Sequence, residues 1–596
     1  MSSQQFEILA YTREPAEMYE EKLAYSMHLA YRSGNGGFTP LNHNCGVLFA
    51  KATENANGTL TAKNLTSPYL FRLQGEEYGV VAVRTECDGK PDELSKGKVL
   101  LFTTRDFLRY TECGLVDLHS DQHICYVTCA YLSQEKKYLL QWCDAANQTY
   151  QSLFDDFAAP VIAPEPAPML KRDVIASGIE GARPANILSI PGRVGEKLLE
   201  RLTVPENIGV RLPEAVTVCG KEELSTLQAE YLYSDGTSVP RAVRWHTEDI
   251  DWGKEGTYTI AGEVSQPSFY FPFAIYRADP CVFYWKGNYY FIATNDADGN
   301  NSLSVRKAEK LELLATAAEY EILNTRMYEH MVQFLWAPEI HLVGEDICIF
   351  LASSPVGFEQ IRCHVMRLKK GGDIRNKEDW EKPVPLRRRD GGFLNDAGLT
   401  LDMTYLAVHG RSYVAWAQRD MVPHDLGSWI YVAEIDPKEP WRLISDPVPI
   451  SKPDYSWSNN HVFVEEGPYP LFVGDMLLLT FSGALIDYTY CVGVLSVPLD
   501  ANLLDCNSWV KGNYPLLTAF SVKGETGPGH NAYVRDENGI TWCTYHARVE
   551  KDGPRSSGIR RVHFHKDGFP VLDMTEARDI NSKYRSLTLS VTVVPK

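Results

Sequence analysis

Five stretches in the second half of the chain share one pattern, in which a turn glycine is followed by an apolar run of strand-forming residues. Successive glycines are separated by 57, 66, 64 and 65 residues, and they are Gly287, Gly344, Gly410, Gly474 and Gly539. A repeat of this length has room for four short strands and their loops, which together make one blade of a β-propeller. The spacing therefore predicts a β-propeller in the second half of the chain.

Four of the five repeats carry an ionisable side chain at nearly the same distance before the glycine. Asp279, Asp402 and Glu466 lie eight residues before it, His530 lies nine before it, and the second repeat has Trp336 at the eight-residue offset. Equivalent positions of a radial repeat lie at the same distance from its axis, so these side chains are predicted to converge. One acidic residue before a hairpin is usually a solvated turn residue, but three clustered carboxylates indicate a task, since buried like charges are costly.

Composition and charge narrow the classes of partner and location. The 596-residue chain has a net charge of −18 and a pI near 5.4, which argues against nucleic acid or an anionic membrane as partner. No apolar run reaches membrane-spanning length, and the N-terminus lacks the basic start and apolar core of a secretory signal. The 13 cysteines have no zinc-site spacing, so they are predicted to be reduced, mostly buried thiols of a cytoplasmic protein.

The chain divides into four predicted segments. Residues 1–165 show short β-like runs between polar turns and predict a β-rich N-terminal module, and the Pro/Ala-containing residues 166–204 predict a linker or strap. Alternating strands with Asp-Gly and Gly-Thr turns over 205–265 suit a small immunoglobulin-like β-sandwich. The propeller is predicted over 266–596, with the C-terminal strand SLTLSVTVVP as a candidate for closing its ring. The fold class is therefore all-β.

Five ordered motifs between about residues 270 and 570 resemble glycoside hydrolase family 43, and the likeness is closest to its α-L-arabinofuranosidase branch. The motifs are YRADPCVFYWKGNYYFIAT, WAPEIHLVG, GLTLDMTYLAVHGRSYVAWAQ, VEEGPYPLFVGDMLLLTFS and GPGHNAY followed by TYHAR. The resemblance implies a five-bladed propeller and hydrolysis of a glycosidic bond with inversion of the anomeric centre.

Inverting hydrolysis needs one carboxylate that takes a proton from water and one carboxylic acid that protonates the leaving oxygen. By the resemblance, Asp279 is the general base, Glu466 is the general acid, and Asp402 raises the pKa of the acid and orients it. A like charge beside an acid keeps it protonated, which is why a third carboxylate is useful. Glu465 precedes Glu466, and strand alternation predicts that the two side chains point to opposite faces.

Further side chains are candidates for substrate binding, each with a structural alternative. Trp336 is a candidate for stacking on a sugar or for plugging the core, and Glu339 for bonding a sugar hydroxyl or for a structural role. Arg548 is expected to pair with an active-site carboxylate or a sugar hydroxyl, or to form a structural salt bridge. His530 is either a satisfied interior residue or, as the resemblance implies, lies beneath the sugar near the axis. Some family members place a hydrated calcium there, so any metal at His530 is expected to be held through water and to be structural. The chemistry itself requires no cofactor.

The expected function is an exo-acting inverting α-L-arabinofuranosidase that releases arabinose from arabino-oligosaccharides. The exo expectation rests on a cytoplasmic location, where imported short oligosaccharides would be the substrate. A β-D-xylosidase and a galactofuranosidase or galactan-type glycosidase remain alternatives. A non-catalytic carbohydrate-binding propeller is an alternative of another class, although three mutually repelling carboxylates would serve it poorly. The sequence leaves open whether the N-terminal module forms a homo-oligomer interface, covers the pocket or braces the propeller.

Overall fold

The computed structural model of the chain describes residues 5–34, 36–161, 163–170 and 174–595. Strands predominate, and helices are few and short. The longest helix among these described residues is Gly192–Leu202, and no helix there is both long and apolar enough to span a membrane.

The N-terminal module contains three four-stranded antiparallel sheets, and a small two-stranded hairpin (β4–β5) lies outside them. The strand orders of the three sheets are β14-β1-β2-β3, β6-β7-β8-β9 and β10-β11-β12-β13. The elements are β1 (Gln5–Arg13), α1 (Glu21–Ala24), β2 (His28–Ser33), β3 (Thr39–Pro40), β4 (Thr53–Glu54), β5 (Leu60–Thr61), β6 (Asn64–Arg72), β7 (Tyr78–Thr85), β8 (Lys98–Thr104), β9 (Thr111–Asp117), β10 (Ile124–Leu132), β11 (Lys137–Asp144), β12 (Thr149–Phe154), β13 (Glu165–Pro166), β14 (Ala182–Pro191) and α2 (Gly192–Leu202).

The segment 166–204 is not only a linker, which corrects the sequence prediction. Strand β14 pairs antiparallel with β1 over the whole length of both strands. Helix α2 follows it directly and buries Leu198 and Leu202 in the core of the module. The sequence prediction missed helix α2, because apolar residues at helical spacing begin only after Pro191 and the Pro/Ala-containing run before them indicated a linker. Residue 162 of the predicted N-terminal module and residues 171–173 of the predicted linker lie outside the described residues.

An immunoglobulin-like sheet connects the module to the propeller. Its first strands are separated by one short helix, and its core is formed by buried aromatic and aliphatic side chains such as Tyr231 and Trp245. The elements are β15 (Asn207–Arg211), β16 (Ala215–Val218), α3 (Lys221–Ser225), β17 (Gln228–Tyr233), β18 (Ser238–Trp245) and β19 (Gly256–Val264).

Residues 274–561 form five four-stranded antiparallel blades, all of which lie within the described part of the chain. In the first four blades the inner strand comes first in sequence and consecutive hairpins build the blade outward, whereas the fifth blade takes its outer strand from the start of the propeller. The strands are β20 (Ala274–Ile275); β21 (Arg277–Trp285), β22 (Asn288–Asn295), β23 (Ser302–Ala308) and β24 (Glu319–Asn324); β25 (Gln333–Val343), β26 (Asp346–Ser354), β27 (Arg362–Arg367) and β28 (Val384–Pro385); β29 (Gly398–Val408), β30 (Arg411–Asp420), β31 (Ser428–Ile435) and β32 (Val448–Ser451); β33 (Glu465–Val473), β34 (Met476–Gly483), β35 (Cys491–Pro498) and β36 (Val510–Lys511); β37 (Thr526–Arg535), β38 (Thr541–Arg548) and β39 (Ser556–Arg561).

The ring is closed by the first propeller strand and not by the last strand of the chain. Strand β20, which precedes the first blade, pairs with β39 and supplies the outer strand of the fifth blade. After the hairpin β40 (His563–Phe564) and β41 (Pro570–Val571) and the helix α4 (Glu576–Asp579), the chain returns to the immunoglobulin-like sheet as β42 (Ser586–Val593). There β42 pairs parallel with β16 and antiparallel with β19. The prediction that SLTLSVTVVP closes the propeller is therefore wrong, because this strand lies between β19 and β16 in the other sheet.

The N-terminal module and the propeller share one apolar core. Phe49 and Leu70 of the module belong to the same buried cluster as Trp457 and Leu479 of the fourth blade. Since burial of apolar side chains is the main stabilising contribution, the module is packed as part of the molecule rather than tethered beside it.

Candidate active site

The inner strand of every blade contains a residue with a left-handed backbone near its middle, and the inner strands of the second and fifth blades each have one more, at Phe334 and Gly527. The φ angles are 51° at Asp279, 44° at Ala337, 56° at Asp402, 55° at Gly467 and 52° at His530. The pairing register of each inner strand shifts across the same residue. A bulge re-aims side chains, and a positive φ is costly for residues other than glycine, so such strain tends to be kept where it serves function. The five bulges therefore determine the direction of the side chains that form the site.

Asp279, Asp402, Glu466, His530 and Trp336 line one pocket of about 260 Å³. The four ionisable residues are each at most 9% exposed. The volume is near the lower end of the roughly 300–1,000 Å³ typical of ligand pockets, which suits one small ring better than a long chain. A larger cleft of about 690 Å³ lies between the N-terminal module and the fourth blade, and its lining includes none of these side chains.

Asp279 is surrounded by donors and positive charge. Its Oδ2 accepts a hydrogen bond of 2.6 Å from Thr294, and its Oδ1 lies 3.3 Å from Nδ1 of His530 and 3.4 Å from a guanidinium nitrogen of Arg555. Nδ1 of His546 lies 3.1 Å from the same oxygen. Burial raises the pKa of Asp279, but the charges of His530 and Arg555 and the contact with His546 outweigh it and hold that pKa well below its usual range. The side chain is therefore ionised.

Glu466 and Asp402 have the opposite electrostatic environment. Burial, with a smaller contribution from the charge of Asp279, raises the pKa of Glu466, although the Tyr490 hydroxyl donates a 2.7 Å hydrogen bond to it. Burial and then the charge of Glu466 raise the pKa of Asp402 well above its usual value, while the backbone N–H of Gly467 donates to Asp402 Oδ2 at 3.0 Å. The two carboxyls are coupled and retain a proton at a pH where Asp279 has lost its own.

Glu465 points away from the pocket, as strand alternation predicts. Its side chain is fully buried and forms an ion pair with Lys511, and its other oxygen accepts a hydrogen bond from Ser451. Lys511 also pairs with Asp454 at 2.8 Å. Glu465 thus belongs to a buried ion-pair network behind the strand that carries Glu466.

Trp336 lies in the pocket wall, whereas Glu339 does not. The indole N–H of Trp336 donates a 2.9 Å hydrogen bond to Asn300, which fixes the ring at the pocket. Glu339 is 4% exposed and pairs with His341 at 2.6 Å, outside the residues that line the pocket. Of the two alternatives for Glu339, its placement favours the structural role.

The predicted pairing of Arg548 with an active-site carboxylate is wrong. Its guanidinium donates to the backbone carbonyls of Gly553 and Ile486. The arginine that reaches Asp279 is Arg555, which also makes a two-pronged ion pair with Asp296 at 2.8 and 2.9 Å. The loop carrying Arg555 has no feature that marks it in the sequence, because its place depends on how the β38–β39 turn folds over the pocket.

His546 and Tyr490 also contact the catalytic carboxyls, although the sequence did not predict them as site residues. Burial lowers the pKa of His546 to about 4 despite its hydrogen bond to Asp279, so its ring is neutral and stacks on Tyr490 with centroids 5.4 Å apart. His546 lies two residues before Arg548 on the same strand, and period-two alternation places both side chains on one face. That alternation was the available signal for His546.

The described residues contain no group of three or more His, Cys, Asp or Glu side chains arranged to hold a metal ion. Nε2 of His530 is buried and has no hydrogen-bond partner among the described residues. His530 lines the pocket, and a buried nitrogen without a protein partner is commonly hydrogen-bonded to water.

Comparison with known proteins gives a consistent result. The family model described as glycosyl hydrolases family 43 matches residues 272–570, and a bacterial Ig-like domain model (group 4) matches residues 226–267. An extracellular exo-alpha-(1->5)-L-arabinofuranosidase of Streptomyces avermitilis is 32% identical over 328 residues, which cover 53% of this chain and 66% of that protein. A protein of the same description from Streptomyces chartreusis is 31% identical, covering 47% of this chain and 83% of the relative. Alpha-L-arabinofuranosidase 43 of Humicola insolens is 29% identical, covering 49% of this chain and 61% of the relative.

These relatives correct the predicted location. The two Streptomyces proteins are extracellular, so the cytoplasmic assignment made from the N-terminal sequence and the cysteines is wrong. The expectation of exo action was based on import of short oligosaccharides into the cytoplasm, and that basis no longer holds. The remaining structural argument for exo action is the size of the pocket.

Proposed function

Since the chain belongs to glycosyl hydrolase family 43, we propose that it is an exo-acting α-L-arabinofuranosidase that hydrolyses its substrate with inversion. The observation that carries this proposal is the opposite shift of carboxyl pKa values within one pocket. The pKa of Asp279 is lowered, whereas those of Glu466 and Asp402 are raised. Environments that push the pKa values of neighbouring carboxyls apart assign one as base and another as acid.

In the proposed reaction, Asp279 acts as general base and Glu466 as general acid. The ionised Asp279 takes a proton from a water molecule as that water attacks the anomeric carbon, while Glu466 donates its proton to the leaving oxygen on the opposite face. Asp402 and Glu466 together retain a proton for this step, because ionisation of both carboxyls would place two negative charges close together. Arg555 stabilises the base in its ionised form before water is bound, since its guanidinium already offsets the negative charge of Asp279.

The proposed substrate is the terminal arabinofuranose of an α-1,5-linked oligosaccharide. The support comes from two relatives described as exo-alpha-(1->5)-L-arabinofuranosidases and from the small volume of the pocket. Trp336 and Phe358 of the pocket lining offer apolar surface to one face of a sugar ring. A pocket of this size favours removal of one terminal unit over cleavage within a chain.

We further propose that Nε2 of His530 binds a water molecule that is free or belongs to a hydrated calcium ion. The residues fit such an ion only through His530 and waters, because no cluster of three ligand side chains is present among the described residues. When bound, the ion would supply positive charge to the floor of the pocket. Asp279 and Glu466 carry out every proton transfer in the proposal.

Hydrolysis of 4-nitrophenyl α-L-arabinofuranoside compared with 4-nitrophenyl β-D-xyloside and a galactofuranoside tests the substrate assignment. We expect kcat/KM to be highest for the arabinofuranoside, and we expect arabinose alone as the first product from α-1,5-arabino-oligosaccharides. Preference for the xyloside or galactofuranoside would replace the substrate. Binding of oligosaccharide without turnover of any glycoside would identify a carbohydrate-binding propeller and overturn the catalytic proposal.

A further inference from the structure

One wall of the catalytic pocket is built from two loops beside the fourth blade. Val462 and Val464 come from the segment before β33, and residues 484–486 come from the segment after β34. Leu485 and Ile486 are 42% and 37% exposed, so the wall is apolar and open to solvent at its upper edge. Segments of this kind need support from outside the blade, because they lie beyond the ends of its hydrogen-bonded strands.

The N-terminal module contacts both loops beside the residues that line the pocket. The ammonium of Lys22 donates to the backbone carbonyl and side-chain oxygen of Asn459 at 2.7 and 3.0 Å. Glu20, just before helix α1, lies with its Oε2 2.8 Å from Nε2 of His461, and its Oε1 accepts a hydrogen bond from Tyr488. Glu20 therefore bridges the loop that contains Val462 and the loop that contains Ile486.

His461 joins the same two loops from within the propeller. Its Nδ1 lies 2.7 Å from Asp487, so the ring sits between a carboxylate of the module and a carboxylate of the propeller. The backbone φ of His461 is +64°, an uncommon conformation for a residue other than glycine. Such a conformation persists where surrounding contacts hold it, and here they are the contacts to Glu20 and Asp487.

We propose that Glu20 of the N-terminal module and His461 are positioning residues that hold the wall of the catalytic pocket. The module thereby completes the substrate site from outside the propeller, at the side formed by the two loops. The inference rests on the proposed function, because it assigns the wall a part in binding the substrate. It gives the module a role in substrate affinity, while the proton transfers remain with Asp279 and Glu466.

The support that Glu20 and His461 give to the pocket wall depends on pH, because it depends on the charge of His461. Burial lowers the pKa of His461, but hydrogen bonds to Asp487 and Glu20 outweigh it, so the pKa lies above its usual value. The ring also packs edge-on against Tyr488, over which Lys551 lies. The further charges that act on its partners are Glu17 on Tyr488, Lys22 on Glu20 and Arg548 on Asp487. An imidazolium donates from both nitrogens, whereas a neutral ring donates from only one. Below its pKa, His461 therefore donates to both Glu20 and Asp487. As the pH rises through that pKa, one of the two hydrogen bonds is lost and the pocket wall is held less firmly.

Glu20→Gln tests the proposal, with Glu54→Gln as a matched control. Glu54 also forms an ion pair from the module to the propeller, but its partner Lys452 does not line the pocket. We expect Glu20→Gln to raise KM about two- to fivefold, the range for a partly exposed ion pair, with kcat unchanged. The rise of KM with pH should also move to lower pH, because the pKa of His461 falls when the charge of Glu20 is removed. Glu54→Gln should alter neither property.

Hydrogen–deuterium exchange of the same two variants separates this inference from the proposed function. We expect faster exchange in residues 459–464 and 484–488 of Glu20→Gln than of Glu54→Gln, whether or not a glycoside is hydrolysed. Absence of turnover with faster exchange would overturn the proposed function and leave the support of the wall established. Equal exchange and equal KM in the two variants at every pH, or a loss of kcat alone in Glu20→Gln, would overturn the inference.

Discussion

Two adjacent glutamates on one strand have opposite tasks because their side chains enter different surroundings. Glu466 faces the pocket and its pKa is raised by burial, whereas Glu465 is locked to Lys511 on the other face of the blade. Replacing Glu465 would leave Lys511, itself buried, with one carboxylate fewer, and breaking a buried pair commonly costs about 3–5 kcal/mol. Alternation along β33 predicted that only one of the two glutamates faces the pocket, and the eight-residue offset from Gly474 selected Glu466. The partner of the other could not be predicted, because Lys511 is on the outer strand of the blade.

Asp402→Asn tests the coupling of the two protonated carboxyls. In the native protein, loss of the last proton from Asp402 and Glu466 places two negative charges close together, which raises the apparent pKa of the pair. The substitution removes one charge, so the basic limb of the kcat profile should move to lower pH. A profile of unchanged position, measured on an aryl arabinofuranoside, would show that Asp402 does not influence the acid.

At the scale of the element, the inner-strand bulge accounts for what the repeat analysis could and could not predict. Counting eight residues back from each turn glycine selected Glu466, yet the residue equivalent to Asp279 and Asp402 by backbone conformation is Gly467. Glu466 reaches the pocket from the position before the bulge, as Trp336 does in the second blade. The spacing of the repeats predicted convergence correctly. It could not resolve a one-residue difference, because the glycine is the second residue of the two-residue turn in the first and third blades and the first residue in the second and fourth.

Gly467→Ala tests the bulge of the fourth blade. At φ +55° an added Cβ would lie 3.1 Å from Nδ1 of His530, which contacts Asp279. We expect kcat/KM to fall by about tenfold or more, since small displacements of catalytic groups are costly. Gly474→Ala is the matched control, because its φ is +57° but nothing lies within 4 Å of the added Cβ. The control should lose about 1–2 kcal/mol of stability and keep its activity. Equal kcat/KM in the two variants would contradict the importance of the bulge.

At the scale of the whole molecule, the immunoglobulin-like sheet and the propeller are tied together by buried charges as well as by strand β42. Asp579 is 1% exposed and lies 2.8 Å from Arg241 of that sheet and 2.5 Å from Arg561 of the fifth blade. Burial raises the pKa of Asp579, but the two arginines outweigh it and hold that pKa below its usual value. The sequence could not indicate this junction, since Arg241 is 338 positions away from Asp579.

Asp579→Asn tests the junction through its pH dependence. A carboxyl whose pKa is lowered on folding contributes stability above its unfolded pKa of about 3.9 and loses that contribution as the pH falls. The variant should therefore melt at a lower temperature than the native protein at pH 7, and the difference should narrow below about pH 4. Glu263→Gln, which removes a partner of Arg244 in an exposed pair, should change the melting temperature little. A pH-independent difference for Asp579→Asn would contradict the charge assignment.

Much of the architecture followed from local patterns, and the errors lie where distant segments meet. Blades, turns and the pocket carboxylates follow from repeats of about 65 residues, because each blade is a run of consecutive hairpins. The destination of β42 depended on pairing with β16 and β19, far away in the chain. Arg555 likewise reaches Asp279 across 276 positions. Contacts of such separation leave no periodic signal in a single sequence.

The most direct test of Glu466 as general acid and Asp279 as general base is the dependence of the Glu466→Ala rate on the leaving group. A sugar hydroxyl leaves only with a proton, whereas a nitrophenolate leaves readily as an anion, and general acid catalysis contributes roughly 10²–10⁴-fold. Glu466→Ala should lose about that factor in kcat/KM on an α-1,5-arabino-oligosaccharide and far less on 4-nitrophenyl α-L-arabinofuranoside, whereas Asp279→Ala should lose activity on both. Equal losses of Glu466→Ala on the two substrates would contradict its assignment as the acid.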